Sequence, residues 1–198
     1  MRRVTLGEMI TRRSSILSLA AAFVARPAVA APVRYTLDRD TSRINFPYLL
    51  NGTQMTGKAS VDSAGILLDI DRPPRSKVGA VINMEEANAG IFFATEAMKG
   101  AQVLDTKRFP TVRFQSNNVA GTVEAAKITG QLTIRDVTRT EALSAQLFRQ
   151  AGIEKGDRSK LSILMKAQID RRRYGASGFP NFVGPMIGLE ILTRITRA

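Results

Sequence analysis

The sequence predicts an all-β protein, an eight-stranded antiparallel barrel carrying one short helical insertion. Three observations lead there. Apolar and polar residues alternate through almost the whole chain after residue 31, short turn signals separate the alternating runs, and one stretch changes to helical spacing. A strand sends successive side chains to opposite faces, so period-two alternation marks a ribbon with one dry face and one wet face.

The first ribbon is "SRINFPYLL", with Ile44, Phe46, Tyr48 and Leu50 on one face. "QMTGKASV" follows and places Met55, Gly57, Ala59 and Val61 together, a narrow face that permits close approach of backbone or ligand. "GILLDID" offers Ile66, Leu68 and Ile70, and "SKVGAVIN" offers Val78, Ala80 and Ile82. In "LDTKRFPTVRFQS", Val112, Phe114 and Ser116 oppose Thr111, Arg113 and Gln115; Pro110 fixes the entry to that strand.

The second half repeats the pattern. Ile128, Gly130, Leu132 and Ile134 share a face, as do Leu143, Ala145 and Leu147. So do Leu161, Ile163, Met165, Ala167 and Ile169, and then Ile187, Leu189, Ile191, Thr193 and Ile195. Turns are expected at Asn51-Gly52, Ser63-Ala64-Gly65, Pro73-Pro74, Asn117-Asn118, Asp136-Val137-Thr138 and Lys155-Gly156-Asp157. The exception to the rhythm is "EEANAGIFFATEAMKGAQVL". There Ala87, Ile91, Thr95 and Met98 fall at helical spacing, with Glu85 and Glu86 early and breaks near Gly90 and Gly100.

Eight or nine such strands joined by short turns must hide their edges, and closure into a barrel does so completely. Eight strands enclose room for packed side chains or for one slender ligand.

The first thirty residues are expected to lie outside this domain. Arginines precede an apolar run from Ile16 to Ala25, and Ala28-Val29-Ala30 then offers small residues for cleavage. The run is too short to span a bilayer and fits a secretory signal peptide. "TRRSSIL" resembles a twin-arginine export motif, with Ser15 where that motif usually has Phe; a general secretory signal is the alternative. The organisation expected is a leader at 1–30 and one barrel domain at 31–198, in the periplasm.

Five basic residues and one acidic residue lie in the leader, so a net charge of +12 becomes +8 after its removal. In an exported protein this charge suits anionic membrane head groups or acidic ligands and not nucleic acid. The chain has no Cys and no His. It therefore holds together without disulfides and has no imidazole base or Cys/His metal site. No motif places a carboxylate, Lys, Ser or Tyr beside a catalytic partner, so a non-enzyme is expected. Asp69 and Asp71 read as solvated charges on an exposed strand face, too ordinary to argue for a two-carboxylate glycosidase.

Four stretches in order carry a family likeness: "YTLDRDTSRINFPYLLNGTQMTGKASVDSAGILLD", "VLDTKRFPTVRFQS", "ITGQLTIRDVTR" and "AQIDRRRYGASGF". Together they resemble the YceI-like family, the lipocalin-like, polyisoprenoid-binding proteins of bacteria. The likeness spans Tyr35 to Thr196, with Thr41 and Leu49 where family members often carry His.

The resemblance implies a lipocalin-like barrel whose tunnel encloses an isoprenoid chain or a quinone tail. No cofactor is expected beyond such a bound lipid or quinone. Phe46, Tyr48, Met55, Phe114, Leu132, Leu147 and Met165 are the expected ligand-binding residues of the wall, with Phe92 and Met98 at a helical lid. Consecutive Phe92 and Phe93 point to different sides, so one of them faces the lumen. Each residue has an alternative place in a packed core, and the helix an alternative role as a plug. In "DRRRYG", Arg171, Arg172 and Arg173 suit either phosphate and membrane contact or a solvated turn in which Arg171 pairs with Asp170. Two functions compete: a periplasmic lipid carrier, and a structural or interaction barrel with a filled core and a basic surface turned to a partner or membrane.

Overall fold

The alternating runs form one closed antiparallel barrel in a computed structural model that describes residues 31–198. The expected leader lies outside the described residues. The strands are β1 (Val33–Leu50), β2 (Thr53–Leu68), β3 (Lys77–Asn88), β4 (Thr111–Gly121), β5 (Ala126–Ile134), β6 (Val137–Arg149), β7 (Lys160–Asp170) and β8 (Met186–Arg197). One helix, α1 (Phe92–Lys99), sits between β3 and β4, and 3-10 turns occupy Pro73–Arg75 and Arg171–Tyr174.

Each strand pairs with its neighbour in sequence, and β8 closes on β1. Among the described residues no strand is left with an unpaired edge, which is the usual liability of a sheet. The register brings inward residues together. Ala126 faces Ala145, Ala145 faces Met165, Met165 faces Ile191, Ile191 faces Ile44, and Ile44 faces Ala59. This belt carries the expected dry face across six of the eight strands.

Several expected turns are strand irregularities instead. Ser63-Ala64-Gly65 lies inside β2 beside a register shift between Val61 and Ser63, and Asn117-Asn118 lies inside β4 beside a shift at Ser116. Extra residues in one strand bend it and sharpen its twist, which long strands need in order to wrap a narrow barrel. The β5–β6 turn is centred on Arg135 and Asp136, so Val137 and Thr138 already belong to β6. β1 begins well before Ser42; its first half is interrupted by a shift between Asp38 and Arg43, where the charged run Asp38-Arg39-Asp40 obscures the alternation. Glu85 and Glu86 belong to β3, and the helix starts only at Phe92, after Gly90 takes a φ of 95°. The expected stop at Gly100 is where the helix ends.

One end of the barrel is capped. It gathers the β1–β2 turn, α1 with the connection to Pro110, the β5–β6 turn and the long Arg171–Pro185 connection. Backbone hydrogen bonds tie these together: Gly178 donates to Gln102 (2.8 Å), Asn51 to Phe182 (2.8 Å) and Gly184 to Leu49 (3.0 Å). Arg135 donates to the Gly175 carbonyl at 2.7 Å. The opposite end carries the Pro73–Arg75 turn, the β4–β5 turn and the β6–β7 loop. The largest apolar cluster, around Tyr35, Ile66, Leu161, Ile163 and Ile195, fills this opposite end.

Candidate ligand-binding site

The interior is hollow. A cavity of about 560 Å³ runs inside the barrel, within the range of sites that hold small molecules. Two features of the inner face keep it open. The belt positions Ala59, Ala126 and Ala145 are small, and Ala64 and Ala80 add to them. The large rings also lean onto glycines of adjoining strands. Phe46 covers Gly57, and Phe114 covers Gly130, at sites where a Cβ would collide with the ring. A ring resting on a neighbouring backbone lies along the wall and leaves the bore clear.

Seven expected residues meet on this wall: Phe46, Tyr48, Met98, Phe114, Leu132, Leu147 and Met165. Met55 does not; it packs against the Phe46, Tyr48 and Ala89 cluster without lining the cavity. Phe92 is corrected more sharply. It is 71% exposed and points away from the lumen, whereas Phe93 reaches the cavity edge. Successive helical residues diverge around the axis, so only one of the pair can turn inward.

Polar groups are few; Thr193 is buried on β8 two residues from Ile191, and the charged ones sit toward the ends. At the end opposite the cap, Asp69 is 7% exposed, which corrects its expected place on a solvated face. One carboxylate oxygen, Oδ1, accepts from the Arg72 backbone N–H at 2.9 Å. Its Oδ2 lies 3.4 Å from the Arg75 guanidinium, an ion pair without a hydrogen bond to that oxygen. Asp71 is exposed and receives both arms of Arg158.

At the capped end, Arg171 turns inward and is buried. Its pairing with Asp170 is not observed; Arg172 binds that carboxylate through two nitrogens instead, and holds it down to about 2. The Arg171 guanidinium donates to the carbonyls of Ala176, Gly178, Val183 and Gly184. The Arg171–Pro185 connection is thus folded around a buried cation, whose loss of water pushes its pKa down. Phe179, within this connection, holds a φ of 55°, an unusual conformation for a bulky side chain that the surrounding bonds must maintain.

Beside it, the Tyr174 hydroxyl donates to Glu141 Oε1 at 2.9 Å, and Arg173 donates to the same oxygen at 3.0 Å. Burial, then the Glu141 hydrogen bond, raises the Tyr174 pKa. Tyr48 donates to the Ala89 carbonyl at 2.7 Å and pins the strand-to-helix corner; burial raises its pKa too. Thr95 completes that corner by accepting from the Ala89 N–H and donating to the Ile91 carbonyl. Neither Glu141 nor the inward turn of Arg171 was evident in the sequence. Three adjacent arginines look alike until the loop that binds one of them is in place.

A model of the YceI-like domain matches residues 35–195. The chain belongs to the YceI-like family. Among its YceI-like relatives, protein YceI of Escherichia coli O157:H7 is 28% identical over 142 residues, 70% of this chain and 74% of that one. A UPF0312 protein of Pseudomonas aeruginosa (strain LESB58) is 25% identical over 144 residues, 72% and 75% of the two chains. Burkholderia cenocepacia BcnA superposes with a TM-score of 0.70 at 14% identity, covering 80% of this chain and 98% of its own. A polyisoprenoid binding domain from Saccharophagus degradans has a TM-score of 0.58 at 12% identity, covering 84% and 99%. The barrel fold is thus shared with these two solved structures at 14% and 12% identity.

Proposed function

We propose that this protein binds a long apolar chain, a polyisoprenoid, an isoprenoid quinone or a similar lipid, inside its barrel and carries it in the periplasm. The observation that carries this reading is the hollow, almost wholly apolar bore of about 560 Å³. A void of that size lined by hydrocarbon is costly to leave empty, because its lining forgoes packing partners. Each Å² of apolar ligand surface removed from water contributes about 25 cal/mol before ordering costs, so a long chain gains many kcal/mol. The Saccharophagus neighbour, a polyisoprenoid binding domain, supports the same ligand class. The leader expected at residues 1–30 supports export.

A filled-core interaction barrel, the competing function, has no use for such a void. The charged wall groups, Asp69, Glu141 and Arg171, lie away from the belt at Ala145 and Ile191, which favours a ligand whose chain occupies the middle and whose head lies near an end. The test is organic extraction of the purified protein followed by mass spectrometry. An isoprenoid or comparable lipid at near-stoichiometric amount is expected; repeated recovery of no lipid would overturn the proposal.

A further inference from the structure

Among the described residues, eight large hydrophobic side chains are exposed, and seven of them lie at the capped end: Leu49, Ile91, Phe92, Phe93, Phe179, Phe182 and Met186. Only Phe148 lies toward the other end. Phe92 and Phe93 are 71% and 81% exposed, with ring centroids 5.6 Å apart. From these positions we infer that the capped end is a membrane-docking surface that seats on an anionic lipid bilayer.

Three observations select this occupant. First, the patch is continuous with the bore, since Ile91, Phe93, Phe179 and Phe182 both line the cavity and face outward. A lipid leaving a bilayer through such a rim would pass from hydrocarbon to hydrocarbon without crossing water, whose contact with its surface is unfavourable.

Second, the charge around the rim suits acidic head groups. Residues 89–110 carry three cations against two carboxylates, and residues 170–185 carry Arg172 and Arg173 against Asp170, Arg171 being buried among its carbonyls. Lys107 and Arg108 of the first segment are exposed. Aromatic side chains beside basic ones form the pattern of proteins that lie in the interfacial zone of a membrane.

Third, α1 presents its apolar start to solvent. It has eight residues, of which only Thr95 is buried, and it begins without a side-chain cap. Phe92 and Phe93 would enter a bilayer while the Tyr48 and Thr95 hydrogen bonds keep the root of the helix in place.

The inference takes the ligand of the bore to be a membrane lipid, and so rests on the proposed function. Vesicle binding is measured separately from bound lipid, so either can fail without the other. The experiment is co-sedimentation of the full chain with phosphatidylcholine vesicles, with and without phosphatidylglycerol, for the wild type, Phe92→Ser and Phe148→Ser. Any background from residues 1–30 is common to all three. Phe92 does not line the bore, and its exposure leaves folding intact, which melting curves verify.

The wild type should bind the anionic vesicles severalfold more tightly than the neutral ones. Phe92→Ser should weaken that binding about tenfold while keeping its bound lipid, and Phe148→Ser should match the wild type. Equal binding by Phe92→Ser and the wild type, or no binding by any of the three, would overturn the inference. So would a wild-type dimer that Phe92→Ser dissociates in the absence of vesicle binding, since the patch would then be an interface between two copies of this chain.

Discussion

Phe46 and Gly57 are cross-strand partners on β1 and β2 whose fit leaves no room for a methyl group. The ring occupies the space a Cβ on Gly57 would need, so the glycine and the open bore have a common cause. Gly57→Ala is expected to push the ring off the wall, destabilising the fold by about 1–3 kcal/mol and lowering lipid content. Gly65, with nothing near its missing Cβ, is the control: Gly65→Ala should change stability little. Urea unfolding of both variants, read beside their bound lipid, checks this.

Arg171 holds the capped end together through four carbonyls and lies 7% exposed. In Arg171→Met those carbonyls lose their donors in a place water reaches poorly. A loss of about 3 kcal/mol or more is expected, since each bond to a charged group contributes about 1.5–3 kcal/mol. The Arg171–Pro185 connection should also become sensitive to protease. Unchanged unfolding and unchanged proteolysis would show that the bonds to Arg171 do not hold this connection.

All three tyrosines of the chain have raised pKa values, in each case chiefly through burial. A raised phenol pKa means that the folded state holds its proton more tightly than the unfolded state. The stability this contributes is complete below the ordinary value of about 10 and is lost as pH climbs through the folded values. Tyrosinate absorbance should therefore stay low in the native protein near pH 10 and rise together with unfolding. A normal titration in a protein that remains folded would contradict it.

The barrel was legible because inward residues repeat at period two on strand after strand, and Phe46, Phe114, Leu132, Leu147 and Met165 all line the bore as their alternation implied. What alternation could not separate is a turn from a bulge. Ser63-Ala64-Gly65 and Asn117-Asn118 have turn chemistry, yet neighbouring strands supply hydrogen bonds that carry the chain straight through. The helix was mis-started for a related reason. Glu85 and Glu86 suit a first turn locally, but pairing of β3 with β2 extends as far as Asn88. Arg171 and Glu141 were out of reach because their roles depend on a partner 32 residues away in sequence or on a loop closing over them. Phe92 failed as a lumen residue because a pair of identical side chains carries no signal of which one turns inward.

The proposed function places a lipid in the bore, and Ala145 lies at its waist, between Ala126 and Met165. The most direct test compares the mass of the native protein with the mass of the same sample after denaturation, for the wild type and for Ala145→Phe. The native wild type should exceed its denatured mass by one lipid, and Ala145→Phe, with a ring across the waist, should lose most of that excess. Identical native and denatured masses in the wild type would contradict the claim.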